Sequence, residues 1–165
     1  MAAVDIAHAD AIVYEINNHA FDMPAEATRS YADFKATLET LGQLRIDVVP
    51  WNYTVEVWDR GAFKYVTETD ILIRMRLAVT DLVSASGSFA NDKLDDLALL
   101  REQIHEFFMP CQASSQNGRQ LSQVTAATWE ETKLLRSFDR RMLSDSQQFT
   151  AWIRLAYSET KAATP

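Results

Sequence analysis

Apolar residues recur over the first twenty positions at three- and four-residue spacing: Ile6, Ala9, Ile12, Val13 and Ile16. That period predicts an amphipathic helix over 5–19, ended by Asn17 and Asn18. Beyond Met23-Pro24, EATRSYADFKA (26–36) alternates loosely and reads as a weak strand. TLETLG (37–42) reads as one helical turn with Gly42 just past its end. GQLRIDVVPWN (42–52) alternates better, with Arg45, Asp47 and Val49 on one face and Ile46 and Val48 on the other. Pro50 is expected to stop this strand, because it has no N–H for a sheet ladder. YTVEVW (53–58) follows as a further short strand, turned at Asp59-Arg60-Gly61.

FKYVTETDILIRMRLAVTD (63–81) holds the clearest strand pattern. Ile71, Ile73, Met75, Leu77 and Val79 point one way; Asp70, Leu72, Arg74 and Arg76 point the other. The two arginines on the outer face are expected to meet water or a partner. SASGSFAN (84–91) is a small-residue linker, with Asn91 as an N-cap. Leu94, Leu97, Leu100, Ile104, Phe107 and Phe108 then draw one stripe on a helix over 92–109, stopped by Pro110. LSQVTAATWEE (121–131) is rich in β-branched residues and reads as a strand. RSFDRRMLSDSQQ (136–148) reads as a loop with one helical turn. In FTAWIRLAYSE, Phe149, Ala151, Ile153, Leu155 and Tyr157 share a face of a closing strand. The order predicts an α+β fold in one domain, 1–165. Its mainly antiparallel sheet is covered by the long helix at about 92–109, with the N-terminal helix as neighbour.

Charge narrows the functional classes. The 165 residues carry a net charge of −7 and a pI of about 4.9, against the clustered Lys and Arg that gripping a nucleic-acid backbone requires. The single cysteine, Cys111, has no internal disulfide partner and sits in apolar FFMPCQ, which predicts a buried, inert thiol. No apolar run reaches the length of a membrane span, and the acidic N-terminus does not have the pattern of a signal peptide.

Candidate chemistry is sparse. No phosphate-binding glycine loop, nucleophile elbow or zinc-protease motif is present. His8, His19 and His105 fall in three regions, and Glu102 and His105 read as an ordinary solvated helix pair rather than metal ligands. Asp92, Asp95 and Asp96 oppose the positive end of the long helix's dipole. No catalytic residue, cofactor or metal is therefore expected. The densest positive patch is Arg136, Arg140 and Arg141 in LRSFDRR, read as solvated loop charges, as a contact for a neighbouring subunit's acidic face, or as a contact for DNA. Trp51, Trp58, Trp129 and Trp152 fall partly on the less apolar faces or at strand ends, where Trp serves interfaces as well as cores.

The order of segments resembles the tail-terminator, or tail-completion, proteins of long-tailed bacteriophages. The resemblance lies in a first helix like ADAIVYEINNHAF, a weak strand leading into IDVVP, the long alternating ILIRMRLAV, the leucine-rich helix DKLDDLALLREQIHEFF, and a QFT entry into the last strand. It extends over nearly the whole chain and departs at 125–147, which has no proline-containing turn. The resemblance implies a virion protein without catalysis, assembled in the host cytoplasm. It implies a hexameric ring on the head-proximal end of the tail tube, touching itself, the tube protein and the head connector, with DNA passing through unread. Trp51, Trp58, Arg136, Arg140 and Arg141 are then the expected subunit-contact residues. The alternatives are a head-completion or neck connector of the same virion, a small α+β enzyme, and a non-viral adaptor.

Overall fold

The N-terminal helical period becomes α1 (Val4–Asn17), and its buried face is His8, Ala9, Ala11, Ile12, Glu15 and Ile16. The computed structural model describes residues 3–31, 43–59, 64–78, 91–110 and 118–162, without the side chains of 57–59 and 91. The expected turn at 37–42, the linker at 84–90, the hairpin turn at Arg60-Gly61 and Cys111 lie outside the described residues.

Of the weak strand expected over 26–36, the described part forms only β1 (Ala27–Arg29). It is held on one side by parallel pairing to Ile46–Val48, and on the other by the Asn17 amide. Asn17 Nδ2 donates to Ala27 O at 3.0 Å, and Ala27 N donates to Asn17 Oδ1 at 2.7 Å. One side-chain amide thus satisfies the edge as a neighbouring strand would.

The two short strands expected around Pro50 are a single one, β2 (Arg45–Asp59). Pro50 does not end it. β1 pairs only as far as Val48, and among the described residues no strand pairs with that side of Pro50, where a missing N–H breaks no ladder bond. The register against β3 (Lys64–Ala78) slips between Pro50 and Asn52, which makes Trp51 a bulge.

α2 (Asn91–Phe108) follows the predicted stripe: Leu97, Leu100, Ile104 and Phe108 are each 1% exposed or less. Burying each such side chain stabilises the fold by about 1.5–3 kcal/mol. β4 (Ala127–Arg136) begins six residues later than expected. Turn bonds from Val124 N to Leu121 O and from Ala127 N to Val124 O occupy the preceding segment, with Leu121 plugged into the core. α3 (Arg140–Ser146) is the expected helical turn, and β5 (Gln148–Ala162) the closing strand.

The strands form one five-stranded sheet in the order β1-β2-β3-β5-β4, antiparallel except for β1 with β2. This is an α+β fold. The cover is shared rather than supplied chiefly by one long helix: α1 packs on β1, β2 and β3, and α2 on β4 and β5. Ile46, Val48, Ile71, Ile73, Met75, Ala151, Ile153 and Leu155 face the helices as the core.

Candidate interaction surface

On the face turned away from the helices, alternation places polar and aromatic side chains. At its centre Asp47, fully buried, accepts from Arg45 Nε at 2.8 Å, Arg76 Nη2 at 2.7 Å and Arg74 Nη2 at 3.4 Å. Arg74 and Arg76, expected to meet water or a partner, are each only 5% exposed. The reason is register: Asp47 stands directly opposite Arg74, so the carboxylate draws both guanidinium groups inward. Burial, together with the neighbouring Arg76 charge, brings the Arg74 pKa down to about 10.

Beside this network lies an aromatic cleft of about 290 Å³, whose walls include Tyr31, Trp51, Leu72 and Trp152 over Arg74. The Arg74 guanidinium carbon stands 5.9 Å from the Trp152 ring centroid. The bulge turns Trp51 outward, 64% exposed, so this predicted contact residue is presented at the surface. The side chain of Trp58 lies outside the described residues. A second, polar cleft opens further along the same face, where Arg154 bridges Asp70 at 2.7 Å and Glu131 at 3.5 Å.

Of the predicted arginines, Arg136 ends the edge strand β4, while Arg140 and Arg141 open α3, which packs on β5. Asp139 caps α3, accepting from Arg141 N at 3.0 Å and Met142 N at 3.3 Å, and it also pairs with Arg136. The Met142 amide, with those other donors, holds the Asp139 carboxyl below its usual range. Arg136 therefore has a partner within its own chain. Arg140 lies over the Phe138 ring at 5.8 Å, and among the described residues no carboxylate pairs with Arg140 or Arg141. Arg101 Nη1 donates to Ser137 O at 2.9 Å and fastens this loop to α2. Trp51 and Arg136 are not brought together: β3 and β5 lie between their strands, a separation of about 14 Å at the usual strand spacing.

The histidines form no shared site. His8 is buried against Thr69, and His19 stacks on Phe21 and Phe107. Among the described residues, no group of three or more His, Cys, Asp or Glu side chains is placed to hold a metal ion. No described helix is long and apolar enough to cross a membrane. The Asp47 network was missed in the sequence, although Arg45 and Asp47 share a strand face and Arg74 and Arg76 share another. The missing link was which two strands pair. Compared with known protein families and with characterised proteins, the sequence matches none.

Proposed function

We propose that this chain is a structural subunit of a long-tailed phage virion, a tail terminator that closes a ring on the head-proximal end of the tail tube and acts without catalysis. Supporting this is the presence of two unlike exposed surfaces on one sheet: the aromatic cleft at Trp51 on β2 and the cationic loop at Arg140 and Arg141 beside β5. A ring built from identical subunits needs two such unlike faces, since each subunit meets its neighbours head to tail. The acidic balance of the chain suits a conduit that DNA passes without sticking.

The test is capping of isolated tail tubes. Wild-type protein should bind one end and fix tube length. Arg140→Glu with Arg141→Glu should fold normally and leave tubes of uncontrolled length. Each exposed ion pair is worth only about 0–1 kcal/mol, but every subunit of the ring repeats the defect. Normal capping by the double variant would show that the loop is only solvated. Binding to portal-side proteins in place of tubes would assign the chain to the neck connector.

A further inference from the structure

β2 outruns its neighbour. β1 pairs with Ile46–Val48, and Ser30 N donates to Val48 O to close that pairing. Beyond this point Trp51–Glu56 are all exposed, and among the described residues no strand lies beside them on the β1 side. From Asn52 to Val57 the strand is regular against β3, so its outer N–H and C=O groups form an unbroken row. This stretch carries half-exposed Tyr53 and Val55 and contains neither proline nor lysine, the residues that commonly keep a strand edge solitary. At the other margin no strand lies beyond β4 among the described residues. Register slips on either side leave Glu131–Leu134 as its regular run.

We propose that the open edge of β2, Asn52–Val57, accepts the β4 edge, Glu131–Leu134, of a second copy of this chain as an added antiparallel strand. The proposal names the joint of the ring put forward above, and its choice of a second copy as occupant rests on that ring.

Direction favours the pairing. β2 with β3, β3 with β5 and β5 with β4 are all antiparallel, three reversals, so β4 runs opposite to β2. A second copy set beside the first in the sheet plane keeps its strand directions. Its β4 therefore meets β2 antiparallel, the more stable ladder. β1 fills the lower part of the slot beside β2, and the incoming strand takes the part that no other described strand occupies.

Charge favours unlike edges over like ones. Asn52–Val57 contains Glu56 and no base, whereas Glu131–Leu134 contains one base, Lys133, beside one acid, Glu131. Pairing β2 with another β2 brings two Glu56 carboxylates onto one face, and pairing β4 with β4 does the same with Lys133. Joining β2 to β4 sets Glu56 and Lys133 on the same outer face with opposite sign. The joint is heterologous, so repetition extends the assembly until it closes.

The experiment uses two variants of the full chain, Thr54→Cys and Glu131→Cys, both in a Cys111→Ser background; both substituted residues are exposed on the outer face. Mixed and treated with a short bismaleimide, they should give cross-linked heterodimers, with little dimer from either variant alone. In the wild-type chain, amide exchange at Asn52–Val57 and Glu131–Leu134 should slow together by about tenfold or more on assembly. Dimers from Thr54→Cys alone would overturn the proposal in favour of β2 self-pairing. Rings that assemble with exchange at Asn52–Val57 unchanged would overturn the joint and leave the terminator role standing. A wild-type chain that stays monomeric even on tail tubes would remove both.

Discussion

His8 Nδ1 lies 2.7 Å from Thr69 Oγ1, and the threonine hydroxyl lies 3.2 Å from Tyr157 O. Each contact needs one proton, and the hydroxyl has only one to give. The carbonyl can only accept, so Thr69 donates to Tyr157 and His8 Nδ1–H donates to Thr69. That assignment fixes the neutral tautomer of a fully buried imidazole and leaves Nε2 as a bare lone pair, 3.7 Å from Glu159 Oε2.

A pH dependence follows from this geometry. Burial lowers the His8 pKa from its ordinary 6.5, although Glu159 pulls it upward. The folded state therefore favours the neutral ring, and the unfolded chain takes up a proton first. Stability is fully present above about pH 6.5 and falls as the pH drops below it. His8→Gln, which can still donate to Thr69, should flatten the change in melting temperature between neutral and mildly acidic pH. An unchanged slope would show that other groups govern that range.

Glu15 makes a second, lower window. Burial raises its pKa, but the Ser122 amide and hydroxyl and the Arg119 guanidinium outweigh this and hold it below its ordinary 4.5. Its carboxylate accepts from Arg119 Nε at 2.7 Å and Ser122 N at 2.9 Å, tying the segment before β4 to α1. The stabilisation is present above pH 4.5 and is lost as the pH falls through the lowered folded value. Glu15→Gln should be less stable than wild type at neutral pH, and the two should converge under acid in urea titrations.

Asp47 is the polar position whose loss should cost most. Asp47→Asn removes the negative charge that faces Arg45, Arg74 and Arg76 and presents an amide N–H₂ to one of them. Removing one partner from a buried ion pair costs about 3–5 kcal/mol, because the opposing charge stays buried. Equilibrium urea unfolding gives the value directly. A loss below about 1 kcal/mol would mean that the arginines are held in place by something else.

In the core, Leu100 is 1% exposed beneath α2. Leu100→Ala should lower the unfolding free energy by about 2–5 kcal/mol, the range set by how far the site collapses around the cavity. Leu99, one residue earlier and 45% exposed, is the control: Leu99→Ala should change stability by less than about 0.5 kcal/mol.

What the chain determined by itself was the set of local periods. Leu97, Leu100, Ile104 and Phe108 repeat every third or fourth residue, and Phe149 to Tyr157 every second, and each period is the geometry of a single element. The α+β class followed from the order of these elements. The arginines at 136, 140 and 141 were legible as a cluster because they are neighbours in sequence. Tertiary structure decided whatever depends on which element lies beside which. Pro50 looked like a strand end, yet β2 runs through it, and β1 pairing stops short of it at Val48. Arg74 and Arg76 looked turned toward water or a partner until the β2–β3 register set Asp47 against them. Arg136 looked available until the start of α3 placed Asp139 within its reach. Periodicity measures a residue against its own strand or helix, whereas pairing register and edge position arise only when separate segments meet. The charged contacts and open edges of the surface were set at that step.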